Sequence, residues 1–421
     1  MSERASVVIT GYGAVTPIGV GVQAFARGLR AGDCGVGDIT LFDASAYRSS
    51  KGSEIREDVR TEEMRAASAA CGVPLQTRYG RTALFSLAAL AEALVMAGLH
   101  TDDLADGGTG LAFGGCTAGT FESEDTLLNL PEGQDYWEIV PPMELLITPV
   151  GTTADVLLTA TGVRGPVTTI STACSSATNA IGMGMRWIQA GRADRVIVGG
   201  GDGLCRLTHC GFNALRLVSP DRPRPFDARR AGMVIGEGAA VLVLESAAFA
   251  RARGARVHGQ LLGFGNAAEA HHATQPRPDG SGAAEAMGRA LADAGLHPDR
   301  VDYVNAHGTA TPQNDLTECL GAHLVFGPRT ASMPISSTKS QTGHTLGASG
   351  AIELAAVLLG MRDGFLPPTV GWGDKDPEIE LDPVPNEGRA GAIGVAVSNS
   401  FAFGGNDASL VVAHPDLELA R

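Results

Sequence analysis

The chain has 421 residues, 44% of them apolar and 19% charged, and a formal net charge of −14. That length allows more than one core. The charge excludes a nucleic-acid binder, because phosphate needs a basic face and only Lys51, Lys339 and Lys375 are lysines. No apolar run approaches about 18 residues, so no membrane span is expected, and the charged Met1 to Ser6 lacks the apolar core of a signal peptide.

Strand-like and helical runs alternate from the start. Val7 to Thr10 reads as a strand closed by Gly11, and Val22 to Arg30 as a helix. Arg81 to Ala97 is a long Ala/Leu-rich helix leading to the strand Gly110 to Phe113. Helix Pro149 to Thr159, strand Val167 to Ile170, helix Ala177 to Ala190 and strands Arg195 to Val198 and Ala239 to Glu245 complete the first half. The rhythm returns with strand Val257 to Gly263, helix Gly282 to Ala294, strand Val301 to Val304, helix Asp315 to Phe326, strand Ile335 to Ser337 and helix Ala351 to Arg362. Strands Ile393 to Val397 and Ser409 to Val412 close it. This order predicts layered α/β architecture. The Ala/Arg/Gly stretch Ala247 to Ala255 is the expected boundary, giving halves 1–250 and 251–421.

Seven cysteines without a Cys-x-x-Cys pair read as free thiols in a reducing compartment. Cys205, His209 and Cys210 lack a second ligand pair, so no metal is expected there. Cys174 differs from the other six. It lies in Ser171-Thr172-Ala173-Cys174-Ser175-Ser176, between a strand and a small-residue helix. The positive end of a helix lowers a thiol's pKa, so thiolate character is predicted for it.

His307 follows a strand in Asn305-Ala306-His307-Gly308-Thr309-Ala310-Thr311-Pro312. His344 follows another in Lys339-Ser340-Gln341-Thr342-Gly343-His344-Thr345-Leu346-Gly347-Ala348. In α/β proteins chemistry collects at the carboxyl ends of strands. Two imidazoles there are expected to converge on the thiol as hydrogen-bond donors to a developing oxyanion. A buried Lys339 would need a carboxylate, and Glu353 in the next helix is within reach. Arg222, Arg224, Arg229 and Arg230 form the densest basic cluster in an acidic chain.

These three motifs resemble the elongating β-ketoacyl-(acyl carrier protein) synthases, in fatty-acid or type II polyketide systems. The resemblance covers nearly the whole chain. It also takes in Val8 to Gly13, Arg224 to Asp227, Gly236 to Ala239, Val384 to Glu387 and Asn399 to Gly405. It implies a thiolase-like, five-layered α-β-α-β-α fold of two pseudo-duplicated halves, a cytoplasmic homodimer or a heterodimer with a related subunit, and no bound cofactor. Substrates would arrive on the phosphopantetheine of an acyl carrier protein. Cys174 would be the acylated nucleophile, His307 and His344 the malonyl-binding pair, and Lys339 with Glu353 their organiser, supported by Asp315 and Glu318. Phe403 would be the gating residue, flanked by Phe401 and Met233. The backbone N–H groups of Cys174 and Phe403 would form the acyl oxyanion hole. Carrier docking would fall to Arg222, Arg224, Arg229 and Arg230, then Arg78 and Arg81.

The chain departs from the family's pattern at several positions. Arg230-Ala231-Gly232-Met233-Val234 lacks an aspartate and a phenylalanine. Gly405-Asn406-Asp407 stands for Gly-Thr-Asn, Ala402 for a glycine, and Glu269-Ala270-His271-His272 for Asp-Ala-Tyr-His. A stiffer gating loop and a specialised substrate are the expectations. A degradative thiolase would need a second cysteine near the C-terminus, and the last here is Cys319. An initiating ketosynthase pairs cysteine with His and Asn, and a non-catalytic chain-length subunit usually loses the cysteine.

Overall fold

The computed structural model describes residues 4–418 apart from 77, 130, 134 and 136–145. Alternate residues of each central strand enter different cores. In Arg195–Asp202, Val196 and Val198 face one core and Ile197 another. In Gly238–Ser246, Leu242 and Leu244 oppose Val241 and Val243 in the same way. Successive side chains point to opposite faces, so strands apolar on both faces must lie between two helical layers.

Ten strands form the main path: β1 (Val7–Thr16), β2 (Thr109–Gly114), β3 (Val167–Ile170), β4 (Arg195–Asp202) and β5 (Gly238–Ser246), then β6 (Gly259–Ala268), β7 (Tyr303–Asn305), β8 (Ile335–Ser336), β9 (Val395–Ser400) and β10 (Asn406–Ala413). Their spatial order is β3-β2-β4-β5-β1-β6-β10-β9-β7-β8. Strands β6 to β10 therefore repeat the arrangement of β1 to β5. The directions repeat too: β2 is parallel to β3 and β4, as β7 is to β8 and β9, and the remaining pairs within each half are antiparallel. The duplication that sequence similarity is too weak to reveal is explicit in the topology. A short antiparallel pairing of Val7, Val8 and Ile9 with Leu261, Gln260 and Gly259 joins the halves.

Helix α1 (Gly80–Ala97) covers the outer face of the first half. It is 18 residues long with a mean hydropathy of 1.4, but 78% of it is buried, and it packs as a core helix. Helices α2 (Ser176–Gln189) and α5 (Ser349–Asp363) pack between the two half-sheets. Helices α3 (Ser281–Ala294) and α4 (Pro312–Phe326) cover the second outer face. The result is the expected five layers, α-β-α-β-α.

One expectation changes. Strand β1 does not stop at Gly11 but runs on to Thr16. A Cβ on Gly11 would sit 2.2 Å from the Ala93 carbonyl, and one on Gly13 2.1 Å from that of Ala89, so these glycines admit α1 rather than end the strand. The apolar segment Val140 to Thr152 lies outside the described residues up to Leu145. Of the rest, Ile147 is buried and Leu146 is 62% exposed.

Candidate active site

Equivalent connections of the two halves supply the reactive groups. The link from β3 to α2 carries Cys174, and the link from β8 to α5 carries His344, so both central helices begin at the site. His307 follows β7. Ala173 is held at φ 52°, a left-handed conformation costing about 1–2 kcal/mol for a residue with a Cβ. Serine side chains hold that turn. Ser176 Oγ accepts from the Thr172 N–H at 2.9 Å and donates to the Ala173 carbonyl at 2.6 Å, and Ser175 Oγ donates to the Thr172 carbonyl at 3.0 Å.

His344 Nε2 lies 3.1 Å from Cys174 Sγ. The thiol sulfur and a ring nitrogen of each histidine all fall within 4.8 Å of one another. The imidazole planes of His307 and His344 meet edge to face, with centroids 5.4 Å apart. Both rings are fully buried, and their pKa values are driven well below the ordinary histidine value, first by burial and then by the Lys339 charge. Both are therefore neutral at neutral pH. The tautomers follow from their partners. Leu346 N–H donates to His344 Nδ1 at 3.1 Å, and Lys339 Nζ lies 3.2 Å from His307 Nδ1. With each Nδ1 accepting, each Nε2 carries the proton.

Lys339 is ion-paired with Glu353, both fully buried. Burial lifts the Glu353 carboxyl to about 7, against the pull of Lys339. Glu318 accepts from the backbone N–H groups of His307 and Gly308 at 2.8 and 2.7 Å. Asp315, one turn earlier on α4, accepts from Phe226 and Ala310 N–H at 2.8 and 3.1 Å. These acids shape the His307 loop. The backbone of His344 is fixed by Val234 and Gly236, directly after Met233.

The predicted thiolate character of Cys174 is corrected by the structure. The group is fully buried, and burial pushes its pKa up to about 11. The Lys339 charge and the N–H groups of Phe403 and of Cys174 itself pull it down by less, and Asp202 adds to the rise. At neutral pH the resting group is a thiol. The small-residue motif showed the helix terminus but not the depth of burial.

A cavity of about 350 Å³ opens above the sulfur, lined by Phe401, Phe403, Met233, Phe212 and Thr309. Phe403 packs at a tilt against Phe212 with centroids 5.6 Å apart, and Phe401 lies 5.9 Å from the His307 ring. Ala402 does not stiffen the loop through its φ. The left-handed positions are Gly404 and Gly405, at φ 81° and 69°.

Sequence reasoning missed Asp202, which is fully buried at the end of β4. It accepts from Cys116 and Thr117 N–H at 2.8 and 2.7 Å and from Gly347 N–H at 2.6 Å, tying the loop after β2 to the loop after His344. A lone aspartate after Gly199-Gly200-Gly201 carries no local signal of that role.

The arginine cluster is largely neutralised. Arg230 is buried against Asp376, Arg229 pairs with Asp374 and Asp227, and Arg224 pairs with Asp221. Arg81 is committed to buried Glu237. Of the six candidates, Arg222 and Arg78 are exposed with no ion pair among the described residues. Exposed Arg216 lines the cavity mouth instead.

Comparison with known proteins agrees with this geometry. The N-terminal domain model of β-ketoacyl synthases matches residues 4–250 and the C-terminal one residues 258–372. The chain is 38% identical to the 3-oxoacyl-(acyl-carrier-protein) synthase 2 of a Synechocystis strain, over 97% of this chain and 98% of the relative. It is 37% identical to the tetracenomycin polyketide synthase ketoacyl synthase alpha subunit of Streptomyces glaucescens, over 97% of each. Among solved structures, the ishigamide ketosynthase/chain length factor matches with a TM-score of 0.90 at 33% identity, covering 98% of this chain and all of that one. A type II ketosynthase bound to its acyl-carrier protein and a hexaketide matches at 0.89 and 30%, with the same coverage. Fold, convergent thiol and imidazoles, and end-to-end similarity agree: this chain belongs to the β-ketoacyl synthase family.

Proposed function

We propose that the protein catalyses decarboxylative condensation of malonyl-carrier protein with an acyl group held on Cys174. The observation carrying this reading is the convergence of two neutral imidazoles, each with a protonated Nε2, on one buried thiol. Cys174 Sγ takes the acyl group by thioester exchange, its proton leaving on the released carrier thiol. Malonyl-carrier protein then binds, and loss of CO2 leaves an enolate whose oxygen accepts from His307 and His344 Nε2–H. Neutral donors serve an oxyanion without a proton transfer of their own. The enolate carbon forms the new C–C bond at the acyl carbonyl, whose oxygen faces the N–H groups of Cys174 and Phe403. The C–S bond breaks, releasing a β-ketoacyl chain two carbons longer, and the thiolate takes a proton from solvent.

Lys339, Glu353, Glu318 and Asp315 act as positioning residues around the imidazoles. We take residues 1–250 and 251–421 as the two thiolase-like halves, a division supported by the repeated strand order. The substrate arm is the phosphopantetheine of an acyl carrier protein, with no further cofactor bound. Arg222 and Arg78 remain candidate docking charges, with Arg216 added at the mouth. Seven free cysteines accord with a cytoplasmic site of action. A homodimer, or a heterodimer with a chain-length-factor-like subunit, is the proposed assembly, in keeping with the complex it resembles.

The pathway we favour is specialised, of the type II polyketide or polyene kind, because Met233 and Asp407 line the cavity where the family's pattern has other residues. Housekeeping fatty-acid elongation is the second reading, supported by the Synechocystis relative. Reconstitution with carriers bearing defined chains separates them. Faster extension of saturated medium chains than of unsaturated or β-keto chains selects the housekeeping reading. Condensation that survives Cys174→Ala would overturn both.

A further inference from the structure

Two buried carboxyl groups face each other beneath the phenylalanine-bearing loop, and the condensation mechanism uses neither. Glu269 follows β6 and Asp407 is the second residue of β10, in register with Ala267. They are 4% and 3% exposed. The loop between β9 and β10 is tied to both. Ala402 N–H donates to Asp407 Oδ1 at 3.3 Å, and the Gly405 carbonyl accepts from Glu269 N–H at 2.9 Å. Gly404, between those ties, and Gly405 itself both have positive φ. The packing is close, since a Cβ on Gly405 would lie 2.8 Å from Glu269 Cβ.

We propose that Glu269 and Asp407 form a proton-shared latch: with one proton between them they hold the 401–405 loop and Phe403 over Cys174, and without it they repel and release the loop.

Two like charges in a dry site cannot both be ionised cheaply, so one proton is retained. Glu269 accepts from Arg277 N–H at 3.0 Å and lies against the start of α3, where a Cβ on Gly282 would come within 2.0 Å of its Oε1. The helix start favours negative charge on that side of the pair, and Asp407 keeps the proton. Asp407 is pushed up to about 8 by burial first, then by Glu269, with Glu318 of α4 adding to the rise and Ala402 N–H opposing it. His272 from the loop after Glu269, and His307, share the cavity, and neither carboxyl has an ion pair among the described residues. The closed loop binds this proton more tightly than an open one, so closure is complete at low pH and weakens as pH rises through about 8.

This latch rests on the condensing reading only for what the loop covers, and its test needs no substrate. Amide hydrogen exchange of the segment 399–408 would be followed across that pH range, corrected for intrinsic exchange. Wild type should lose about tenfold or more of its protection above the transition. Asp407→Asn, whose amide can donate to Glu269 at any pH, should show a flat corrected profile. Should that variant fold poorly, Glu269→Gln removes the like charge from the other side and should flatten it too. A flat wild-type profile, or a transition retained in a folded variant, overturns the latch and leaves the thiol chemistry untouched.

Discussion

Cys174 must react from a protonation state its surroundings disfavour. With its pKa raised to about 11, only a small thiolate fraction exists at neutral pH. Its alkylation should therefore accelerate about tenfold per pH unit and level off only near that value. Measured in the Asp407→Asn background, where the loop no longer titrates, a plateau below pH 8 would contradict this. Lys339 is the largest influence lowering that pKa, so Lys339→Met should push the thiol higher and slow alkylation at fixed pH about tenfold. It should also cost about 3–5 kcal/mol of stability by stranding Glu353, visible as a lower Tm. For the imidazoles, His307→Ala or His344→Ala should cut malonyl decarboxylation about a hundredfold or more while sparing part of the acylation of Cys174. Mass analysis of the acyl-enzyme beside CO2 release separates the two steps, and equal loss of both would mean the donors are misassigned.

At the scale of elements, the motifs exposed the chemistry because each reactive group sits at a strand end within a short local pattern. The same locality hid Asp202, whose partners come from loops more than eighty residues away in sequence on either side. Glycines misled in β1, where they read as strand ends but are sites of helix contact. Gly114, at the end of β2, is a similar contact on the reactive side. A Cβ there would lie 2.4 Å from Ala177 N and from the Ser176 carbonyl carbon, both backbone atoms of α2. Gly114→Ala should destabilise the fold by about 1–3 kcal/mol. It should also slow acylation, because the start of α2 can retreat only by moving Cys174. Thermal melts with acylation rates check this, and an unchanged rate would show that the turn is held independently of the helix.

The whole molecule ends on one side in an unsatisfied edge. Strand β3 pairs with β2 alone among the described residues, and Val167 is 42% exposed. An unpaired edge strand with an exposed valine invites another strand. The chain should sediment as a dimer, and Val167→Lys with Thr169→Lys should shift it towards monomer. A wild-type monomer at working concentration would contradict this. The layer order was readable from alternating strands and helices, whereas the joining of half to half was not, since its strand pairing is three residues of β1 and β6 and the rest is the packing of α2 and α5 between the half-sheets. The division between the halves has a thermal consequence. Nucleophile and donors stand on opposite sides of it, so a small parting of the two half-sheets dismantles the reaction centre while every strand and helix survives. On warming, the protein should fall silent before it melts. Activity should be lost at a temperature below the collapse of its circular dichroism, with recovery on cooling as the halves close again.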